Sequence, residues 1–144
     1  MLINFEIATP EKIVFKALVS QISLPTKMGE ITILPNHEPL VAALSPGVIK
    51  IIKDGGEKFL AIGEGFAEIQ TGNRAIILAE NAETAEEIDI ERAERARRRA
   101  EELMKEKNVQ DVEYTALAAK IERELARLKV ARRHSKGKNL PSAE

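Results

Sequence analysis

The chain has 144 residues, a formal net charge of −1 and 44% hydrophobic residues, which is typical of one or two small globular domains. It has no cysteine and only two histidines, which excludes disulfides and thiolate zinc sites and disfavours a histidine-based metal site. No run of about 18 apolar residues occurs and the N-terminus lacks the pattern of a signal peptide, so we expect neither a membrane-spanning helix nor secretion.

Residues 1–84 alternate apolar and polar side chains in short stretches that are separated by turn residues. The strand-like stretches are 2–8, 13–15, 17–24, 31–34, 48–53, 58–62, 66–70 and 74–79. The clearest hairpin joins 48–53 to 58–62, because Asp54 and Gly55 provide the positive φ angles of a tight turn. Short strands without intervening helices predict an antiparallel β-sandwich or flattened barrel in this part of the chain.

Residues 81–93 connect the strand-rich part to a helical part. Two helix-start patterns overlap there, and we predict that Asp89 is the final N-cap rather than the threonine of an upstream capping box. Ile88 and Ala93 then have the spacing of a hydrophobic staple. The Asp89 carboxylate, the first-turn NH groups and Arg92 would together form a small polar site.

Apolar residues recur at helical spacing in two segments on either side of a break at residues 107–110. They are Ala93, Ala96, Ala100 and Leu103 in the first segment, and Ala118, Ile121, Leu125 and Leu128 in the second. We predict an antiparallel two-helix hairpin over residues 85–133, with a core separate from that of the sandwich, and a basic flexible tail at 134–144. Alanines bury little area, so the hairpin needs support from the sandwich or a partner, and two arrangements are expected.

Two segments of the strand-rich part match a known family. Residues 29–40, GEITILPNHEPL, resemble the G-E-x-x-I-L-P-x-H-x-P-L stretch of the ε subunit of bacterial and chloroplast F-type ATP synthases, and residues 63–69, GEGFAEI, are similar to its G-G-F-x-E-V segment. The resemblance extends to about residue 133. It implies a β-sandwich followed by a helical hairpin, in a non-catalytic central-stalk subunit of a proton-translocating synthase.

Glu30 and His37 lie within the first of these segments. From chemistry alone they are a solvated carboxylate and an imidazole whose hydrogen bonds are satisfied by the backbone of a turn. The resemblance implies instead that both residues contact the γ subunit and the c ring of the synthase. In neither reading are they catalytic.

The segment from Ile88 to Ala93, IDIERA, resembles the I/L-D-x-x-R-A motif that is associated with ATP binding in some bacterial ε subunits. The resemblance implies a regulatory ATP site formed by Glu83, Ile88, Asp89, Arg92, Ala93, Arg99, Arg123 and Arg127. Arginines would bind phosphate oxygens, and an acidic side chain would accept from the adenine amino group. No Gly-rich loop with Lys-Ser/Thr occurs, so ATP would be sensed and not hydrolysed, and no cofactor is required. The alternative is a capped, salt-bridged helix start.

Basic residues recur on the second predicted helix and admit several interpretations. They are Arg123, Arg127, Lys129, Arg132 and Arg133. They fit a solvated face, whereas the resemblance implies contact with an acidic segment of the catalytic β subunits and restraint of ATP hydrolysis. A free-standing nucleotide-binding enzyme or a nucleic-acid-binding module are the alternatives, but interleaved acidic residues and the lack of aromatic stacking residues argue against nucleic acid.

The resemblance also implies a location. A subunit of this kind would lie peripherally on the cytoplasmic face of a bacterial cell membrane, or on the thylakoid in a chloroplast or cyanobacterium, and would contact the membrane only through the complex.

Overall fold

The computed structural model describes residues 1–106 and 110–139, with side chains described as far as residue 133. In this part of the chain the strands are β1 Ile3–Ala8, β2 Ile13–Val19, β3 Gln21–Thr26, β4 Gly29–Ile33, β5 Leu40–Leu44, β6 Gly47–Lys53, β7 Gly56–Ile62, β8 Gly65–Gln70, β9 Arg74–Ala79 and β10 Ala82–Thr84. A 3₁₀ turn, Ala85–Glu87, leads into the helices α1 Ile90–Met104 and α2 Asp111–Asn139.

The strands form one continuous sheet in the order β10-β7-β6-β3-β5-β8-β9-β1-β2, with β4 paired to β3. Neighbours are antiparallel except β1 and β9, which are parallel, so the predicted antiparallel sandwich is confirmed apart from this pair. A sheet of this many strands curls instead of staying open. Lys58 of β7 lies 5.3 Å above the ring of Phe15 in β2, which shows that the two ends of the strand order face each other.

The interior of the folded sheet is filled by large aliphatic side chains that alternate along the strands. Phe5 and Ile7 of β1, Leu24 of β3 and Leu60 of β7 are fully buried. The ring of Phe5 also packs on Phe15, with centroids 5.9 Å apart. This core depends only on the strands, because its buried members all lie before residue 83.

The structure differs from the predicted strands in several places. Two strands were predicted at 13–15 and 17–24, but β2 and β3 are divided at Ser20, whose amide and hydroxyl both donate to the carbonyl of Ile52 at 2.8 and 2.9 Å. Pro25 lies inside β3 and does not end it. The strands β5 and β10 were missed, because LVAAL does not alternate and AET has only three residues.

Helix α1 begins as predicted, since the Asp89 carboxylate accepts a hydrogen bond of 3.1 Å from the amide of Arg92. Thr84 makes no capping bond to the backbone, and its hydroxyl donates to the Glu87 carboxylate at 3.0 Å. On the α1 seam Ala93 and Ala100 are buried, whereas Ala96 and Leu103 are half-buried. The first helix therefore has the predicted cap and the predicted inner face.

The predicted seam of α2 is partly wrong. Leu128 is buried, but Leu125 is 47% exposed, and the other buried apolar side chains are Ala126, Val130 and Ala131. The reason is that α2 packs on two surfaces, α1 on one side and strands β6 and β7 on the other. Helix α2 also continues to Asn139, beyond the predicted end of the hairpin at 133.

The predicted domain limits stay predictions. The sheet ends at Thr84 and the 3₁₀ turn starts at Ala85, close to the predicted change at 84. The predicted tail overlaps the end of α2, and its residues 140–144 lie outside the described residues.

Candidate functional site

The helices meet the sandwich at a second apolar cluster. Its buried members are Ala61 of β7, Ile88, and Ala126, Val130 and Ala131 of α2, and half-buried Phe59 and Val48 pack against them. This cluster is separate from the strand core, but it contains Ala61 of β7 as well as side chains of α2, so both parts of the chain share it. We refer to this contact between α2 and the strands as the junction.

Two arginines of α2, Arg132 and Arg133, connect this helix to its neighbours. Arg133 of α2 lies over the ring of Phe59 in β7, with its guanidinium carbon 4.7 Å from the ring centroid. Arg132 donates to the Glu94 carboxylate of α1 at 2.8 Å. The first contact joins α2 to the sheet, and the second joins the two helices.

The most buried charges of the junction surround Arg127. Its Nε and Nη2 donate to Oε2 of Glu83, in β10, at 3.2 and 3.0 Å, and its Nη1 donates to Oε2 of Glu124, one turn earlier in α2, at 2.8 Å. Side-chain exposures are 17% for Arg127, 25% for Glu83 and 5% for Glu124. We call these three residues the Arg127 cluster. Sequence reasoning missed Glu124, because acidic residues three positions before an arginine are common on solvated helices.

Arg127 keeps its positive charge over the whole neutral range. Burial of the guanidinium acts to lower the pKa of Arg127, and the carboxylates of Glu83 and Glu124 more than offset it, so the pKa is raised above its ordinary value. A cation whose pKa is raised on folding stabilises the folded state at every pH below its ordinary pKa. This stabilisation is lost only as the pH rises past the pKa that the group has in the folded state. The arginine thus keeps its charge at every physiological pH.

A looser ion pair lies beside the Arg127 cluster. Arg123 of α2 is 3.6 Å from Oε1 of Glu80, and the same oxygen accepts from the amide of Glu64 at 3.4 Å. A cleft of about 580 Å³ opens here between α2 and the strand ends. Its lining residues are Pro46, Glu64, Glu80, Val112, Thr115, Ala116, Ala119, Lys120 and Arg123. Of the predicted ATP residues, only Arg123 borders this cleft.

The structure brings together only some of the predicted ATP residues. Glu83 and Arg127 bind each other, whereas Arg92 and Arg99 are exposed on α1 and make no ion pair within the part of the chain that the structure describes. Ile88 is 9% exposed in the junction and Ala93 is fully buried. Together with the Asp89 cap, these positions account for the IDIERA segment as a helix start. A role in ATP binding stays a prediction.

The predicted contact residues Glu30 and His37 do not lie in one turn. Glu30 is exposed near the start of β4, and His37 follows four residues after the strand ends. The His37 ring bonds to the carbonyl of Glu38 through Nδ1 at 2.7 Å, as expected for a turn imidazole. The backbone NH of Asn36 donates to Oδ1 of Asn73 at 2.5 Å, which joins this loop to the turn between β8 and β9.

The GEGFAEI segment has a structural explanation in a corner of the sheet. A Cβ on Gly65 would collide with the carbonyl of Leu78 and would lie 2.7 Å from Cα of Ala79. The amide of Gly63 donates to the carbonyl of Asn81 at 3.1 Å. Two corners of the chain therefore pack on each other at a distance that only glycine allows.

The outer face of the sheet has an apolar surface that the sequence reasoning missed. Its residues lie opposite one another across five adjacent strands and are Ala43, Phe66, Leu78, Ala8 and Ile13. We call them the apolar row. Phe66 is 61% exposed, Leu78 59% and Ile13 57%, and Val41, which is 70% exposed, lies beside them on β5. Apolar residues at the outward positions of strands are the signal that would have identified this surface.

Comparisons with known proteins identify the family. The family model described as ATP synthase, Delta/Epsilon chain, beta-sandwich domain matches residues 2–85, and the one described as ATP synthase, Delta/Epsilon chain, long alpha-helix domain matches residues 86–132. The chain belongs to the ATP synthase delta/epsilon family. The resemblance noted in the sequence is therefore confirmed over both of its parts.

Similar proteins agree with this family. The ATP synthase epsilon chain of Anaeromyxobacter sp. is 38% identical over 133 residues, which is 92% of this chain and 100% of that one. The ATP synthase epsilon chain of Chloroflexus aggregans is 44% identical over 135 residues, covering 93% and 95%. A chain of the Euglena gracilis mitochondrial ATP synthase has the same fold, with a TM-score of 0.77, 22% identity and coverage of 91% of this chain and 81% of that one.

Membership of the delta/epsilon family settles the class of the protein. Chains of the epsilon type are stalk subunits of ATP synthase and not its catalytic subunits, so the prediction of a non-catalytic subunit is confirmed. None of the helices in the described part of the chain combines the length and the hydropathy that a membrane span requires. The side chains described also contain no group of three or more His, Cys, Asp or Glu that could hold a metal ion.

Proposed function

We propose that this chain is a rotor subunit of a proton-translocating F-type ATP synthase, attached to the γ subunit and the c ring through its sandwich. The observation that carries the attachment is the apolar row. Exposed apolar residues in a contiguous line on a charged protein mark a protein interface and not a solvated surface. Family membership favours this role over a free-standing nucleotide-binding or nucleic-acid-binding module.

Two parts of the sandwich suit two different neighbours. The apolar row suits γ, because a long apolar contact gives a permanent attachment. The β3–β4 turn suits a polar loop of the c ring, since it presents the charge of Glu30 next to Met28, which is 97% exposed. His37 follows the other end of β4 and is proposed as a second contact with γ or the c ring.

The attachment can be tested with γ and the c ring of the same synthase. Phe66→Ser and Leu78→Ser together should reduce binding of γ by roughly tenfold or more, because buried aromatic and aliphatic anchors dominate interface free energy. Val112→Ser is the control, since Val112 is 81% exposed on α2 and is not part of the apolar row. Unchanged γ binding by the Phe66 and Leu78 variant would contradict the assignment of this surface.

The helical part is proposed to restrain ATP hydrolysis when it leaves the sandwich. Its basic side chains are engaged while it is docked: Arg123 and Arg127 bind carboxylates of the strand region, Arg132 binds Glu94 and Arg133 covers Phe59. Leaving the sandwich would free Arg123, Arg133 and the Glu83-bound nitrogens of Arg127 for an acidic segment of the catalytic β subunits. The docked and the inhibitory arrangements would then exclude each other.

Truncation tests the restraint. Removing residues 85–144 should raise ATP hydrolysis by the reconstituted complex, because the basic helix is lost. The truncated sandwich should still assemble, although it exposes Phe59 and Ala61, which α2 normally covers. Replacing Arg123, Arg127 and Lys129 by uncharged residues in the full chain should also raise ATP hydrolysis. Hydrolysis unchanged by both alterations would remove the inhibitory role.

ATP sensing is proposed to act through Glu83, Asp89, Arg92, Arg99, Arg123 and Arg127. All three guanidinium nitrogens of Arg127 bind carboxylates in this structure, so a phosphate must compete with Glu83 for it. Arg92 and Arg99 are exposed and are the first side chains that phosphate would meet. Calorimetry on the isolated chain should show ATP binding that Asp89→Ala with Arg92→Ala abolishes. Arg95→Ala, on the same exposed side of α1 but outside the motif, is the matched control and should bind ATP normally.

Localisation follows from assembly. We place the chain at the cytoplasmic face of a bacterial cell membrane, held there only by γ and the c ring. Fractionation should find it with membranes in cells that contain the complex and in the soluble fraction when γ and the c ring are both absent. Membrane association that persists without either would contradict an attachment through the complex alone.

A further inference from the structure

The Arg127 cluster contains one more negative charge than positive charge. Two carboxylates, Glu83 and Glu124, bind one guanidinium, and Glu124 is only 4% exposed. The nearest further pair, Arg123 with Glu80, is balanced. Lys120 lies one turn before Glu124, but it makes no ion pair within 4 Å among the side chains that the structure describes. Among the described side chains, the buried excess charge is therefore not neutralised by an ion pair.

The two carboxylates of the cluster are not equivalent. Arg127 and Glu124 are both on α2, three residues apart, so their bond persists whether or not the helix is docked. Glu83 is on β10, so its bond to Arg127 exists only in the docked arrangement. Docking consequently gains the Glu83–Arg127 contact and, with it, repulsion between Glu83 and Glu124 across the shared guanidinium.

We propose that Glu124 weakens the docked arrangement, and that its function is to keep the helices releasable. Its attraction to Arg127 is present before and after docking, whereas its repulsion of Glu83 acts only after docking. Like charges that share a low-dielectric site oppose each other strongly. Glu83 thus stabilises the docked arrangement, and Glu124 destabilises it. This inference concerns the isolated chain and does not depend on whether the helices restrain hydrolysis.

A single engineered cysteine can report docking, because the natural chain has none. Ala61→Cys places a thiol on β7 against α2, at a position that is 3% exposed and becomes accessible when α2 leaves. Ala67→Cys is the matched control, because Ala67 is 1% exposed in the strand core and does not touch the junction. When opening and closing are fast, the rate of labelling by Ellman's reagent follows the released population.

The proposal predicts opposite effects for two isosteric substitutions. Glu83→Gln should speed labelling of the thiol at position 61 by about tenfold or more, because it removes a charge-assisted contact. Glu124→Gln should slow the same labelling by roughly threefold, because it removes repulsion while the amide oxygen still accepts from Arg127. Labelling at position 67 should change in neither variant, which shows that the sandwich stays folded.

A double substitution identifies the cause. If Glu124 acts through Glu83, Glu124→Gln should have no further effect on labelling once Glu83 is glutamine. The proposal is overturned if Glu124→Gln speeds labelling or leaves it unchanged, since Glu124 would then hold the junction or be neutral to it. It is equally overturned if Glu124→Gln slows labelling to the same extent in the Glu83→Gln background, because repulsion would not be the cause.

Discussion

The sandwich core and the junction of this chain are built from different side chains. The core contains large residues such as Phe5, Leu24 and Leu60 that are fully buried, whereas the buried members of the junction are three alanines, Ile88 and Val130. The junction compensates with ion pairs at its edge, chiefly the Arg127 cluster. Because buried apolar area dominates stability, the sandwich should be much the more stable of the two. The difference indicates a permanent platform carrying a releasable part.

The largest effect should come from truncating the sandwich core. Phe5→Ala should destabilise the chain by about 3–5 kcal/mol, because the cavity lies in a well-packed interior. Denaturant unfolding measures this directly. Phe66→Ala is the matched control, since Phe66 is 61% exposed and its loss should change stability by less than about 1 kcal/mol. Equal effects of the two substitutions would contradict the assignment of Phe66 to an outward surface.

A smaller effect should follow from truncating the junction. Val130→Ala should cost about 2 kcal/mol, because it removes two buried methyl groups where α2 meets the strands. The loss should appear as faster amide exchange in α2, while exchange in β1 and β9 stays unchanged. Lys129→Ala, at the exposed neighbouring position, should leave exchange in both regions as it was. Faster exchange in the strands of the Val130→Ala variant would show that the junction and the core unfold together.

Removing the N-cap should have a still smaller and more local effect. Asp89→Ala should destabilise α1 by about 1 kcal/mol, because the amide of Arg92 loses its hydrogen-bond acceptor. Helix content and exchange of the first turn of α1 are the appropriate measurements. Asp89→Asn should restore most of the loss, since asparagine also caps helices. An Asp89→Ala chain with the exchange pattern of the natural one would mean that the junction alone fixes this helix start.

The smallest effect on stability should come from the exposed β4 charge. Glu30→Lys should change the free energy of unfolding by less than about 0.5 kcal/mol, because an exposed carboxylate contributes little to the fold. It should nevertheless weaken coupling or assembly in the complex, where the proposed c-ring contact lies. Glu102→Lys, at an exposed position of α1 where no ion pair lies within the described side chains, is the control for an unspecific effect of charge. A synthase that couples normally when Glu30→Lys and His37→Glu are combined would contradict the proposed c-ring contact.

Prediction from the sequence succeeded where local chemistry decides the structure. The Asp54-Gly55 hairpin and the Asp89 cap both depend on neighbours within a few residues, and both are present: Asp54 and Gly55 have positive φ, at 52° and 76°. The seam of α2 failed at Leu125, because the helix has two packing partners and periodicity indicates only one apolar face. Glu124 and the apolar row were missed for a related reason. The residues that lie next to them belong to strands that are distant in sequence.

The central claim is that the helices can leave a sandwich that stays folded, and native-state amide hydrogen exchange tests it most directly. Increasing denaturant in small steps should lower the protection of α2 and of α1 well before that of β1, β6 and β9. The helices should therefore open with a smaller free energy than the strands, and Glu83→Gln should reduce only the smaller value. A single free energy of opening shared by helices and strands, and lowered equally in both by Glu83→Gln, would contradict the account.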